Sequence, residues 1–243
     1  MHSYPWLKSY PSNLRWDVAI EERPLPDLLD NAKKKYGART AIDFMGRAIS
    51  YAELADNVER LAAGLQEMGV TTGVNVGLFM PNCPQFVMSY YAILKAGGTV
   101  VNYNPLYSLQ DLRHQIEDSS TEIMVTLALA ALYPKVAECL GGTKLKKIIV
   151  SDFYEALPLP KRLAFQLTRK KEIIHAPDDG HHVFFKALLE TKSPLRPVAI
   201  HPDSHVAVLQ YTGGDDRCSQ GRRADPWESL CQYAAVRHVV CRP

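Results

Sequence analysis

No apolar run in this chain approaches the length of a membrane span, and Met1-His2-Ser3-Tyr4 does not open a signal peptide. Charge of one sign is lacking too. The 28 Lys and Arg nearly balance 26 Asp and Glu, leaving a formal net charge of +2, so nothing in the balance points to nucleic acid as a partner. Neither Gly-x-Gly-x-x-Gly nor a lysine at Walker spacing after the glycines is present, which removes the two commonest nucleotide-loop fingerprints. Cysteine is sparse. Cys83 and Cys139 sit in apolar, helix-like contexts and read as reduced core thiols. Cys218, Cys231 and Cys241 fall in the tail beside His238, but the tail has no Cys-x-x-Cys pair and no His-x-x-x-His pair. Zinc spacing is therefore a poor match, and no metal ligand is assigned. The adjacent His181 and His182 read as a solvated loop feature. These absences leave a cytoplasmic protein as the expectation.

What is present is a rhythm. The chain has 243 residues, 47% of them apolar, enough for a sizeable core. Ser50 and Glu53 have capping-box spacing, Leu54, Val58, Leu61 and Leu65 recur at helical intervals, and Gly69 ends the run. Residues 74–80 form a short apolar stretch that predicts a buried strand. Pro84 then starts a second helix that stops at Gly97-Gly98. Residues 99–103 predict a strand broken by Asn104-Pro105, and Ser108 with Asp111 opens a further helix in capping-box fashion. Strands are predicted at 122–128 and 147–151, with a helix around 130–140 between them. Such alternation predicts parallel βαβ units in an α/β, doubly wound, largely parallel sheet flanked by helices.

Between 154 and 197 the rhythm breaks. Five prolines and the basic cluster Arg169-Lys170-Lys171 mark an excursion with helices near 159–168 and 183–190. The cluster suits a solvated helix end; because the segment is also apolar, a peripheral contact with the inner face of the cell membrane is the competing reading. Strand character returns at 204–211 and delivers Thr212-Gly213-Gly214 to the carboxyl edge of the sheet, where doubly wound folds bind ligands.

Five stretches, in order, carry a resemblance: Ile49-Ser50-Tyr51-Ala52-Glu53-Leu54, Met80-Pro81-Asn82-Cys83-Pro84-Gln85-Phe86, Ala92-Ile93-Leu94-Lys95-Ala96-Gly97-Gly98, Val100-Val101-Asn102-Tyr103-Asn104-Pro105-Leu106-Tyr107 and Leu209-Gln210-Tyr211-Thr212-Gly213-Gly214. Together they resemble the acyl-adenylate-forming, AMP-binding superfamily, and within it the bacterial long-chain fatty acid–CoA ligases. The resemblance implies that residues 1–214 are part of the family's N-terminal domain. It implies a fatty acid, ATP with Mg, and CoA as co-substrate, reacting through an acyl-adenylate to acyl-CoA, AMP and pyrophosphate. It also implies that Thr212, Gly213 and Gly214 begin the ATP phosphate-binding loop, the threonine offering a hydroxyl and the glycines a close backbone approach. No catalytic residue is singled out. For the isolated tripeptide, a plain turn after a strand is the alternative.

After Gly214 the resemblance stops. Asp215-Asp216-Arg217 puts negative charge where phosphate oxygens are expected, and the loop lysine is missing. The genetic code offers an account. Written GAC-GAC-CGG and read one base later, these codons give Thr-Thr-Gly. The same shift from Cys218 to Tyr233 permits Val-Ala-Lys-Gly-Ala-Val-Leu-Thr-His-Gly-Asn-Leu-Tyr-Ala-Asn-Thr, a continuation of the family's loop with its lysine. One extra base near the Gly213 and Gly214 codons produces this, so residues 215–243 are expected to be a frameshifted, disordered tail. A genuine alternative tail is the other possibility. The expected function is that of an inactive fragment of a long-chain fatty acid–CoA ligase. Two alternatives remain: a non-catalytic fragment that binds a partner at an open sheet edge or competes with a full-length ligase, and an independent nucleotide-binding α/β protein.

Overall fold

The computed structural model describes residues 4–9, 11, 17, 20–201, 204–211, 233–237 and 239–241. After a short 3-10 turn at Pro5–Ser9 come β1 (Ile20–Glu22), α1 (Pro26–Tyr36) and the antiparallel pair β2 (Thr40–Phe44) and β3 (Arg47–Ser50). The alternating region follows: α2 (Tyr51–Glu67), β4 (Asn75–Phe79), α3 (Pro84–Ala96), β5 (Thr99–Asn102), α4 (Leu109–Asp118), β6 (Thr121–Leu127), α5 (Tyr133–Ala137) and β7 (Lys147–Ser151). Then come α6 (Leu159–Thr168), β8 (His182–Phe184), α7 (Phe185–Leu189), β9 (Val206–Tyr211), β10 (Tyr233–Arg237) and β11 (Val239–Cys241).

The main sheet has the order β10-β9-β5-β4-β6-β7-β8. Six of its strands, β9 to β8, run parallel, and β10 lies antiparallel along β9. Among the described elements, α2 packs on α1, α3 and α7 on one side, while α4 and α5 pack together on the other. The expected doubly wound, largely parallel α/β sheet is thus present.

Local signals explain the elements. Ser50 caps α2 by accepting the Glu53 amide at 3.1 Å. The reciprocal half of the expected box is not made, because Glu53 turns to the Arg47 guanidinium at 3.6 Å. At α4 the box is complete, with Ser108 and Asp111 each holding the other's amide. The central strand β4 is buried on both sides by Val76, Leu78 and Phe79. At Gly77 a Cβ would stand 2.5 Å from Met124 Sδ and 2.8 Å from the Tyr103 ring, so only glycine fits there without displacement. Cys83 and Cys139 are free and buried, and burial pushes the Cys83 thiol up to about 11.

Two expectations are corrected. His182 is not a solvated loop residue. It opens β8, is 7% exposed, and bonds the Tyr133 hydroxyl and the Asp179 carboxylate. The helix expected over 130–140 is a five-residue turn, since Pro134 sets its start and Gly141-Gly142 follows soon after it. Within the tail, strands β10 and β11 pair with β9 and β1. The reason is physical: the free edge of β9 offers unpaired backbone groups, and an extended apolar segment satisfies them. The rest of 215–243 lies outside the described residues.

Candidate functional site

The site is built by chain crossing. From β4 the connection through α3 moves to β5 on one side, and from β5 the connection through α4 crosses back to β6 on the other. The connections after β4 and β5 thus leave in opposite directions, the arrangement at whose carboxyl edge doubly wound folds bind ligands, and β9 lies beside β5.

Two pairs of side chains finish these strands. Asn102 and Gln210 are register partners at the ends of β5 and β9, and Asn102 Nδ2 donates to Gln210 Oε1 at 2.7 Å. Tyr103 and Tyr211 follow and, by strand alternation, point to the other face. The Tyr103 hydroxyl donates to Thr121 Oγ1 at 2.7 Å and lies 3.0 Å from Ser119 Oγ; Tyr211 donates to the Asp118 carboxylate. The turn after α4 therefore holds both strand-end tyrosines. Burial pushes the Tyr103 phenol up, with the Ser119 and Thr121 hydroxyls only partly opposing, so it stays a neutral donor. Gln115 Nε2 ties the Asn102 carbonyl from α4 at 3.0 Å.

The result is a hydrogen-bonded platform whose one ionisable acid is Asp118. Two buried acceptors here, Asn102 Oδ1 and Gln115 Oε1, have no hydrogen-bond partner among the described residues. Thr212, Gly213 and Gly214 follow Tyr211 directly but lie outside the described residues, as do Asp215 and Asp216. Among the described residues no three His, Cys, Asp or Glu side chains converge, so no Mg ligand is assigned. A cavity of about 360 Å³ bounded by Asn75, Gly98, Thr99 and Val206 opens at the opposite, amino ends of β4, β5 and β9, away from this platform. Sequence reasoning quoted Asn102 and Gln210 but gave them no role. Single amides at strand ends carry no spacing signature; only the register between β5 and β9 brings them together.

The family model described as AMP-binding enzyme matches residues 29–214. The chain belongs to the AMP-binding enzymes. Among curated relatives, the long-chain-fatty-acid–CoA ligase of Bacillus subtilis (strain 168) is 33% identical over 221 residues, covering 89% of this chain and 39% of that protein. The ligase of the same name from Salmonella typhimurium is 29% identical over 227 residues, with the same coverage. The chain thus spans about two fifths of the length of the relatives it matches. Among solved structures, a long-chain-fatty-acid–CoA ligase from Archaeoglobus fulgidus superposes with a TM-score of 0.63 at 23% identity, covering 82% of this chain and 36% of that one. An anthranilate–CoA ligase solved in complex with anthranoyl-AMP gives 0.61 at 17% identity over 79% of this chain and 32% of that one. At those identities the superpositions establish a shared fold.

Proposed function

We propose that this chain is the N-terminal part of a long-chain fatty acid–CoA ligase, with a fatty acid, ATP with Mg, and CoA as its substrates and cofactors. The observation that carries the reading is the amide-locked end of β5 and β9, which leads straight into Thr212-Gly213-Gly214. In this reading ATP supplies the adenylyl group that activates the fatty acid. Asn102, Gln210, Tyr211 and Asp118 hold the strand end in place; Thr212 offers its hydroxyl; Gly213 and Gly214 let backbone amides approach phosphate oxygens without a Cβ between. The fatty acid is already ionised at neutral pH, so no general base is required for its attack.

As written, the chain is expected to make no acyl-CoA. Asp215 and Asp216 oppose a polyphosphate at the loop, and no loop lysine follows Gly214. The shifted reading frame restores both features, which supports an extra base in the coding sequence near Gly213 and Gly214. The competing reading is a non-catalytic fragment that binds a partner at an open sheet edge or competes with a full-length ligase; β10 and β8 end the main sheet, and co-purification with a ligase would favour it.

The test is to resequence the gene from the Gly213 codon past Pro243, and to express the version with one base removed. The frame-restored product is expected to form long-chain acyl-CoA in the presence of ATP and Mg, and the 243-residue chain is expected to form none. Activity in the 243-residue chain overturns the inactivity. A folded, frame-restored product with no activity on any long-chain acid overturns the substrate class.

A further inference from the structure

At the carboxyl end of β7 the chain encloses a cavity of about 220 Å³, walled by residues of α2, α3 and α7 and bounded by the turn at 153–156 and the start of α6. In the sheet, β7 stands three strands from β5, roughly 14 Å at ordinary strand spacing, so the cavity is separate from the platform at Asn102 and Gln210. Ile49, Met88 and Phe185 supply much of its apolar lining, and all three are buried.

Two buried polar side chains line the same cavity. Gln85 is 4% exposed and Ser151 1%. Gln85 Nε2 donates to the Asp152 carbonyl at 3.2 Å; a carbonyl only accepts, so this contact fixes the orientation of the amide and leaves Oε1 as its unpartnered end. Ser151 Oγ also has no hydrogen-bond partner among the described residues. Buried polar atoms are ordinarily paired, so two of them lining one cavity distinguish a binding site from a packing gap.

Charge of both signs borders them. Arg47 donates to the Glu155 backbone carbonyl and faces Glu53 at 3.6 Å, while the Arg162 guanidinium lies over the Tyr154 ring at 5.4 Å. Both guanidiniums are thereby held at the cavity and keep further N–H donors. Glu155 lines the wall beside them. Burial, and then the charge of Asp152, pushes its carboxyl up, with Arg162, Lys186 and Arg47 opposing. The wall thus offers donors for an anion, acceptors for a cation and an apolar surface. Its size sets a limit. The cavity exceeds the roughly 150 Å³ that encloses a benzene ring and falls short of the roughly 300 Å³ at which drug-sized pockets begin, so it suits a ligand of about ten non-hydrogen atoms.

We propose that this cavity binds a small zwitterion with an apolar side chain, a free amino acid of the leucine class. The carboxylate pairs with Arg47 and Arg162, and the ammonium donates to Gln85 Oε1 and the Glu155 carboxylate. The Ser151 hydroxyl completes the polar contacts, and the side chain packs on Ile49, Met88 and Phe185. The site takes neither ATP nor a fatty acid.

The test is saturation-transfer difference NMR on the full 243-residue chain with three probes: L-leucine, isocaproate, which lacks the amine, and isoamylamine, which lacks the carboxylate. L-Leucine is expected to bind at least about tenfold tighter than either. Ser151→Ala breaks no hydrogen bond of the hydroxyl among the described residues, and is expected to weaken leucine binding several-fold with the thermal melt unchanged. Glu155→Gln is expected to narrow the gap between leucine and isocaproate, and Arg162→Met the gap between leucine and isoamylamine. Loss of folding does not produce that pairing of variant with probe. Absence of saturation transfer to leucine, equal affinity for the three probes, or variants that leave leucine affinity unchanged overturns the proposal. Neither ATP nor CoA is present in these measurements, so their outcome is separable from that of the proposed ligase reaction.

Discussion

His182 joins three parts of the chain through its two ring nitrogens: Nδ1 lies 2.7 Å from the Asp179 carboxylate and Nε2 lies 2.9 Å from the Tyr133 hydroxyl. A carboxylate only accepts, so Nδ1 carries the proton, and in the neutral ring Nε2 accepts from Tyr133. The hydrogen bond from His182 holds the Asp179 carboxyl below the usual carboxylate range, helped by the backbone amides of His181 and His182. A carboxyl depressed in the folded state stabilises the fold above its unfolded pKa, and that contribution is lost as pH falls through the folded value. Thermal melts taken as pH falls below about 4 are therefore expected to show a steeper loss of Tm in the wild type than in Asp179→Asn. Equal slopes would remove Asp179 from the acid response. None of this was legible in the sequence, where two adjacent histidines near a glycine look like loop chemistry. Burial of His182 depends on Tyr133, 49 positions away, and no local pattern encodes that contact.

Among elements, those with strong local signals were read close to their bounds: α2, α3 and β7 owe their positions to periodicity, caps and prolines. The capping box of α4 is the clearest case. Replacing Ser108 by Ala removes an acceptor for the Asp111 amide and is expected to cost about 1 kcal/mol, measured as a lower urea midpoint at unchanged slope. A drop at α4 no larger than that of an exposed mid-helix control would count against the box. The hairpin β2–β3 escaped sequence reading because its turn, Met45-Gly46, has positive φ at both residues (54° and 90°), while methionine is not a turn-forming residue by type. Strand β8 escaped because three residues are too few to display alternation. The candidate site was legible as a place, the end of a strand running into Thr-Gly-Gly, but not as the amide and tyrosine pairs that fix it, which arise only from register.

At the scale of the molecule, β8 and β9 lie at opposite sides of the parallel sheet, so the chain between them must travel across its face. The traverse is strapped to α2 and α3. Gln66 clamps Arg196 with both ends of its amide, donating to the carbonyl at 3.0 Å and accepting the amide at 2.9 Å. Ser193 hydrogen-bonds Glu67 near the end of α2. Gly97 ends α3 at φ 96° where a Cβ would stand 2.9 Å from Val198. Gln66→Ala exposes neither strand nor platform but leaves the Arg196 backbone groups without their buried partner, and is expected to cost about 2 kcal/mol in a urea titration. A loss below about 0.5 kcal/mol would mean that solvent replaces the clamp without penalty.

The same strap sets an order in time. Five parallel strands, β4 to β8, can close using segments no more than a few dozen residues apart, whereas β9 docks on β5 across more than a hundred positions of chain. During synthesis the sheet therefore has most of its partners before the strand that carries residues 212–214 leaves the ribosome. Strand β9 therefore docks late, on a surface that β4 to β8 have already built, and whatever its end presents is set against a finished sheet.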